Sequence, residues 1–547
     1  MKAEMLSGGE AIVHSLLRAR VDTVFGIPGV QTYALYDALA RAQDRLRVVT
    51  PRHEQAAGYM AFGYARSTGR PGVFSVVPGP GVLNAGAALC TAFGASTPVL
   101  CVTSQVPSPY IGSGLGHLHE LPDQLATLRT ITKWAQRIEH PAQAPGIVAE
   151  ALRRATSGRP RPVAVEMPWD VLEARAPVSL DVQPVGEPVP DPDPDAVDRV
   201  ADALATAHNP MIMAGGGAQH AAEEVRALAE RVQAPVVPFR SGRGILTDEH
   251  HLGFTCASGF ERWHQTDVVL GIGTRMELMW FRWPDRRPGL RVLTVDVDPT
   301  QPLRLGAEHA ITADAAAGTR ALVAALDRHG RRRPSRAEEF TRIKAAVGER
   351  INEIQPHAAL LAAIRAVLPR DGFLVEEICQ CGFTSYFAFP VYSPRSFVSG
   401  GHQGTLGFGF PTALGVKVAN PTAPVVAITG DGGFGFGLQE LATAAQEKIA
   451  VVTVLFDNAA YGNVLRDQHR LFNGREIGAR LKNPNWITLA ESFGVAARTT
   501  APTPDGLAST LDWALALDAP ALVVVPVDAR QERSPWPLLM PASRTAA

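Results

Sequence analysis

Gly430-Asp431-Gly432 is followed, after the 25 residues 433–457, by Asn458. Asp431 follows the apolar run Val425–Thr429, and Asn458 follows Val451–Phe456. If both runs are strands of one parallel sheet, both polar side chains fall at strand carboxyl ends, where open α/β sheets bind ligands. Carboxylate and amide oxygens are hard ligands suited to Mg²⁺, an ion that also recruits phosphates. Gly432 and Gly433 would let a phosphate approach the backbone, and the helix expected next offers free N–H groups at its start. A bare Gly-Asp-Gly is a common turn; the spaced Asp457-Asn458 is what makes it read as a metal–phosphate cradle.

Two further stretches could carry chemistry. Arg52-His53-Glu54-Gln55-Ala56-Ala57 precedes a helical Tyr59–Ala65. Taken alone, Glu54 there is a helix cap or dipole partner. Gly401-His402-Gln403-Gly404-Thr405-Leu406-Gly407-Phe408-Gly409-Phe410-Pro411 reads as a glycine-rich loop entering a helix, and taken alone it is a turn.

The elements that must position these groups follow from apolar runs. Val73–Val77, Val99–Thr103, Pro162–Glu166, Met211–Ala214, Val268–Ile272, Val292–Asp296, Val425–Thr429, Val451–Phe456 and Ala521–Val525 are continuous rather than alternating. Such runs suit parallel sheets covered on both faces. Helical stretches such as Glu223–Arg231 and Leu438–Gln446 lie between them, which implies doubly wound α/β domains. A chain of 547 residues exceeds one core and suggests about three units. Breaks fall at Pro177–Pro194, read as a stiff, solvated linker, and at the basic stretch His329–Glu338. The expected blocks are 1–175, 195–330 and 350–530.

A formal net charge of −1 removes the electrostatic case for nucleic acid or a membrane surface. There is no apolar run of bilayer-spanning length and no signal-peptide core after Met1, so a cytoplasmic protein is expected. The five cysteines, Cys90, Cys101, Cys256, Cys379 and Cys381, lack metal-site spacing and are expected as buried free thiols.

Gly-Asp-Gly, a spacer of this length and Asn resemble the diphosphate–Mg²⁺ signature of thiamin diphosphate (ThDP) enzymes. The surrounding residues resemble the acetolactate synthase large-subunit group, with its benzaldehyde lyase-like and 2-oxo-acid decarboxylase relatives, over nearly the whole chain. The resemblance implies pyrimidine-binding, central and diphosphate-binding domains in that order. It implies Asp431, Asn458 and the Ala460 backbone oxygen as Mg²⁺ ligands. Gln380, Gly404, Thr405, Gly432, Gly433, Tyr461, Gly462 and Asn463 would lie around the cofactor. Glu54 would hydrogen-bond the aminopyrimidine N1′, favouring the imino tautomer that deprotonates C2. In an apolar pocket Glu54 would keep its proton at neutral pH. Leu406 replaces the family's Met as the wedge that bends ThDP. The metal ligands and Glu54 would come from different subunits, implying an obligate homodimer, commonly a homotetramer.

The substrate side departs from the family. Val30 and Gln31 would line the pocket, with Gln31 where benzaldehyde lyase carries a histidine. Leu118 and His119 fall in the stretch matching the synthase A-F-Q-E, and His119 could act as acid or base. Asp467 stands where synthases place a Trp that selects the acceptor, which argues against an ordinary branched-chain synthase and admits a basic or polar substrate; pairing with Arg466 or Arg470 is the alternative. Cys381 faces the pocket or is a small buried thiol. Gly215-Gly216-Gly217 and Gly271–Arg275 could bind a nucleotide, but a structural middle block without FAD is favoured.

The expected reaction is decarboxylation of a 2-oxo acid, first of all pyruvate, with the thiazolium as electron sink, then attack on a second carbonyl compound. His119 and Gln31 would steer protons. Aldehyde release by simple protonation and acyloin cleavage are the alternatives. A non-catalytic paralogue would need Glu54, Asp431 or Asn458 lost, and all are present.

Overall fold

The computed structural model of the chain describes residues 3–182, 191–330 and 332–543. Three parallel sheets succeed one another along it. The first runs, edge to edge, Arg47–Val49, Thr23–Gly26, Gly72–Val76, Val99–Gln105, Val163–Pro168 and Trp134–Arg137. The second runs Val236–Pro238, Pro210–Ala214, Val268–Ile272, Arg291–Asp296 and His309–Thr312. The third runs Phe397–Val398, Phe373–Glu376, Val425–Gly430, Val452–Asp457, Ala521–Pro526 and Ala496–Thr499. In chain order the first and third share one topology, 2-1-3-4-6-5. In each, the chain reverses direction across the sheet between its first and third strands, the switch point at which such sheets open a crevice. Central strands such as Val99–Gln105 and Val425–Gly430 are buried at every residue, which is why their sequences do not alternate.

Some boundaries differ from expectation. The start of the proline-rich stretch is not linker: Arg175–Val178 pairs antiparallel with Glu4–Ser7, burying Ala176 and Val178. Pro177 is tolerated because this two-stranded ribbon offers an open edge. Residues 183–190 of that stretch lie outside the described residues. Pro194 opens the helix Pro194–Thr206, where its missing N–H costs nothing. The helix expected over Tyr59–Ala65 spans Glu54–Thr68, so Glu54 is its first residue rather than a residue ahead of it.

The first and third domains of one chain share a core. Helix Glu54–Thr68 is buried nearly all round and lies against helix Gly409–Ala419. Tyr59 and Phe62 meet Phe408 edge-on, with centroids 5.5 and 5.4 Å away. Glycines permit the approach: a Cβ on Gly63 would fall 2.2 Å from Thr412 O, and one on Gly415 2.0 Å from Met60 O. Helix propensity favours Ala over Gly by about 1 kcal/mol, but overpacking typically costs about 1–3 kcal/mol. Gly63→Ala and Gly415→Ala are therefore each expected to lower the thermal or urea midpoint, and an unchanged or raised midpoint would refute the contact.

Candidate functional site

The residues expected to hold a metal lie together at the third sheet's carboxyl edge. Strands Val425–Gly430 and Val452–Asp457 are neighbours with Gly430 opposite Phe456, so Asp431 and Asp457 emerge side by side. The Asn483 amide donates to both, at 2.7 Å to Asp431 and 2.8 Å to Asp457, and Trp486 Nε1 donates to Asp457 at 2.9 Å. Burial and the neighbouring Asp457 raise the Asp431 pKa to about 6. A divalent cation is what would relieve two facing carboxylates. Asn458 is held from behind: its Nδ2 donates to Glu532 at 2.9 Å, and Glu532 also meets buried His357 Nε2 at 2.8 Å. This orients the Asn458 oxygen away from Glu532. Ala459 adopts φ 52°, with its carbonyl accepting from Leu481 N, while Tyr461 N donates to Ala479 O; together these bonds fix the turn around Ala460. Among the described residues no three His, Cys, Asp or Glu side chains form a metal cage. A cation here must combine a carboxylate with amide and backbone oxygens, a donor set that suits Mg²⁺.

The glycines after Asp431 are demanded by packing as well. A Cβ on Gly432 would lie 2.6 Å from the Tyr461 ring, and one on Gly433 2.6 Å from Glu377 Oε1. The helix expected behind them is one turn, Asp431–Phe434. Asn463 Oδ1 already accepts from Trp536 Nε1 at 2.7 Å. Thr405 Oγ1 lies 3.2 Å from Thr91 Oγ1 of the first domain, while Gly404 (φ 63°) and half-buried Leu406 keep the loop open. Gln380 is buried, yet neither its amide oxygen nor its nitrogen has a partner in the chain. Such a group fits a polar ligand at this spot.

The first domain's switch point brings Gln31 and His119 together. Gln31 Nε2 donates to Leu118 O at 2.8 Å, so its Oε1 faces His119 Nδ1 at 3.1 Å. That oxygen requires a proton on Nδ1, which leaves Nε2 as the exchangeable nitrogen of neutral His119. Both residues hold left-handed backbone, φ 75° and 69°, the kind of strain that collects at functional sites. Glu120 ties the loop by accepting from the N–H groups of Gly114, Gly116 and His117. Val30 is half-buried beside Gln31, and Leu118 is exposed.

Within one chain Glu54 is half-buried and accepts from Asn84 Nδ2 at 3.1 Å. Cys381 does not face a pocket; it is fully buried in the apolar core, and burial pushes its thiol pKa well up. Neighbouring Cys379 is the one beside the site, with its Cβ 3.0 Å from where a Gly430 Cβ would stand. Asp467 takes the pairing alternative, with Arg470 at 3.4 Å, while Arg466 turns to Ser534. In the middle domain, the turns at Gly215–Gly217 and Gly273 meet through Gly217 N to Gly273 O, 3.1 Å. They line a cavity of about 450 Å³ with Arg66, Arg159, Arg275 and Arg395.

Sequence reasoning missed Glu377, Glu440, Asn483 and Glu532. Glu440 is fully buried and accepts from the N–H groups of Arg52 (3.0 Å) and His53 (3.1 Å), so the third domain fixes the turn that launches Glu54.

Two parallel sheets of one topology, each with polar groups at its switch point, define a cofactor-dependent α/β enzyme. Family models agree in detail: the thiamine pyrophosphate enzyme N-terminal TPP-binding domain matches residues 6–127, the central domain 197–322 and the C-terminal TPP-binding domain 377–525. The chain belongs to the ThDP-dependent enzymes. It is 37% identical to a probable 2-ketoarginine decarboxylase of Pseudomonas aeruginosa, over 90% of this chain and 89% of that protein. It is 31% identical to a probable acetolactate synthase large subunit of Methanocaldococcus jannaschii, over 98% and 94%. It is 30% identical to the acetolactate synthase large subunit of Haemophilus influenzae, over 97% and 96%.

Burial and, next, the nearby His117 hold the His119 pKa below the ordinary 6.5. In an NMR pH titration His119 is expected to titrate below that value, and His117→Ala should move its midpoint upward. A downward or absent shift would remove His117 as a cause.

Proposed function

We propose that this enzyme uses ThDP and Mg²⁺ to decarboxylate a 2-oxo acid with a cationic side chain, releasing an aldehyde. The observation that carries the choice of substrate is Asp467. It stands where the synthase group places Trp, on helix Gly462–Leu471, with 42% of its side chain exposed and only a 3.4 Å contact to Arg470. A carboxylate so loosely held can exchange Arg470 for a guanidinium or ammonium of the substrate. The relative named for 2-ketoarginine supports the same substrate class.

Bound ThDP would supply the electron sink that lets CO₂ leave. In this reading Asp431, Asn458 and the Ala460 carbonyl hold Mg²⁺, and Gln380 with the Gly404–Leu406 loop receives the cofactor. Glu54 would hydrogen-bond the cofactor's N1′, with Asn84 orienting its carboxyl. His119, with its Nδ1–H held on Gln31, has its Nε2 lone pair free; Nε2 would take up a proton from solvent and, as the imidazolium, hand it to the carbon that lost CO₂, returning to the neutral ring. The metal half of one chain and Glu54 of another complete each site. Exposed Leu83, Leu115 and Leu118 on the first domain, and Val464, Phe472 and Ile477 on the third, support such a homodimer, paired again as a tetramer. Among the described residues no helix is long and apolar enough to cross a membrane.

Acetolactate synthase-like joining of two pyruvates is the second reading, favoured by full-length relatives of that name at 30–31% identity. A panel of 2-oxo-5-guanidinovalerate and pyruvate, assayed for CO₂, aldehyde and acetolactate, separates them. The cationic acid is expected to be the better substrate by kcat/KM. Asp467→Ala should cost it about 10–100-fold, mostly in KM, the loss of about 1.5–3 kcal/mol for a charged hydrogen bond. Predominant acetolactate from pyruvate would establish the second reading instead.

Glu54→Gln is expected to bind ThDP yet lose about 10²–10⁴-fold in kcat, the range for general acid–base catalysis. Full activity in this variant would remove Glu54 from the mechanism.

A further inference from the structure

Glu377 belongs to no motif, yet it occupies the third domain's switch point. It follows strand Phe373–Glu376 and is 1% exposed. Its Oε1 accepts from the N–H of Gly407 and, at 3.1 Å, from that of Phe408. Its Oε2 accepts the Thr429 hydroxyl at 2.6 Å. A Cβ on Gly433 would lie 2.6 Å from Oε1, and one on Gly409 2.7 Å from Glu377 Cβ. One carboxylate thus touches the backbone just after Leu406, the strand end two residues before Asp431, and the second glycine after Asp431. Its donors are neutral, and burial raises its pKa to about 6. A carboxyl group withdrawn from water without a cation is costly to keep, and any nearby polar surface would be cheaper. Its place makes sense as a spacer of fixed length between two loops that would otherwise move independently.

We propose that Glu377 is a positioning residue which sets the Gly404–Phe408 loop at a fixed distance from the Asp431–Gly433 loop, so that ThDP binds bent without either loop having to reorder. The inference rests on the cofactor placement proposed above, with the pyrimidine against the first loop and the diphosphate against the second. Reach is the critical property. Glu377→Gln keeps the length: its oxygen can still serve Gly407 and Phe408, and Thr429 can rotate to accept from the new amide. Glu377→Asp keeps the charge but is one methylene too short to span both loops.

The test titrates ThDP, at fixed MgCl₂, into the full-length apoenzyme variants. It reads dissociation constants by tryptophan quenching and the near-ultraviolet dichroism of the bound aminopyrimidine. Glu377→Asp is expected to weaken ThDP by about 10–100-fold, as for other supporting groups behind a ligand, and to diminish the dichroism band. Glu377→Gln should be the milder of the two. The apparent KM for ThDP should rise more than kcat falls. If Asp is milder than Gln, the role is electrostatic and the proposal is overturned; unchanged affinity in both also overturns it. Should Glu377→Asp fail to fold, Thr429→Val removes the donor on the opposite side, and unchanged ThDP affinity there counts equally against it. Asp431→Ala serves as the control: if it binds ThDP normally, the cofactor placement is wrong, whatever Glu377 does.

Discussion

The N–H groups of Arg52 and His53 end on the buried carboxylate of Glu440, and much of the site's geometry follows from that bond. The first N–H groups of a helix have no partners within it. Here the chain entering helix Glu54–Thr68 is received by a carboxylate from another domain, 388 residues away for Arg52. A negative group at that end also opposes the positive pole of the helix dipole. Thr443 Oγ1 satisfies the same carboxylate at 2.6 Å. The first turn of the Glu54 helix therefore cannot shift without stripping donors from a buried carboxylate. The glycines at Gly63 and Gly415 then let the helix bodies touch, so the two domains share one apolar core.

The same solution recurs across the third sheet. Glu376 receives the Tyr386 hydroxyl at 3.2 Å and is raised to about 7 by burial; Glu377 receives backbone N–H groups; Asp431 receives Asn483. Acids held by neutral donors keep their geometry but retain unspent negative charge at one edge. A cation arriving beside Asp431 and Asp457 would find these oxygens already in place and partly dehydrated. Organised ligands give up less entropy on binding than floppy ones. The first sheet, of identical topology, places a hydrogen-bonded pair without a carboxylate, Gln31–His119, at its own switch point.

How much of this the amino-acid sequence disclosed depends on how far apart the partners lie in it. Strand ends at Asp431 and Asn458 are read from adjacent apolar runs, and the α/β class from their continuity. The residues that brace those ends are invisible to such reading. Thr429 lies 52 residues from Glu377, and Glu532 lies 74 from Asn458. No local period links them, and a lone Glu in an apolar stretch carries no mark of what it binds. Cys381 was misplaced for a helical reason. It follows Gln380 at the start of helix Gln380–Ala388, where adjacent side chains point about 100° apart. Gln380 and Cys381 therefore face different ways, and Cys381 turns into the apolar core. The packing demand on glycines 432 and 433 was equally invisible, because their crowding partners, Tyr461 and Glu377, follow other strands.

Asp467 raises a question of environment rather than identity. An ion pair in water contributes about 0–1 kcal/mol, too little to choose one 2-oxo acid over another. In the single chain Asp467 is in that regime, open to solvent beside Arg470. On its helix, Val464 and Leu471 occupy positions three before and four after it, so they share its face, and both are exposed. Ile477, in the loop that follows, is 83% exposed. A charged residue ringed by exposed apolar groups is the anatomy of a surface that another surface will cover. Covering it removes water, and the attraction between Asp467 and a cationic substrate then strengthens severalfold as the local dielectric falls. In the proposed enzyme, selectivity would thus belong to the assembled dimer: the carboxylate would choose the charge, and a subunit boundary over it would make that choice count.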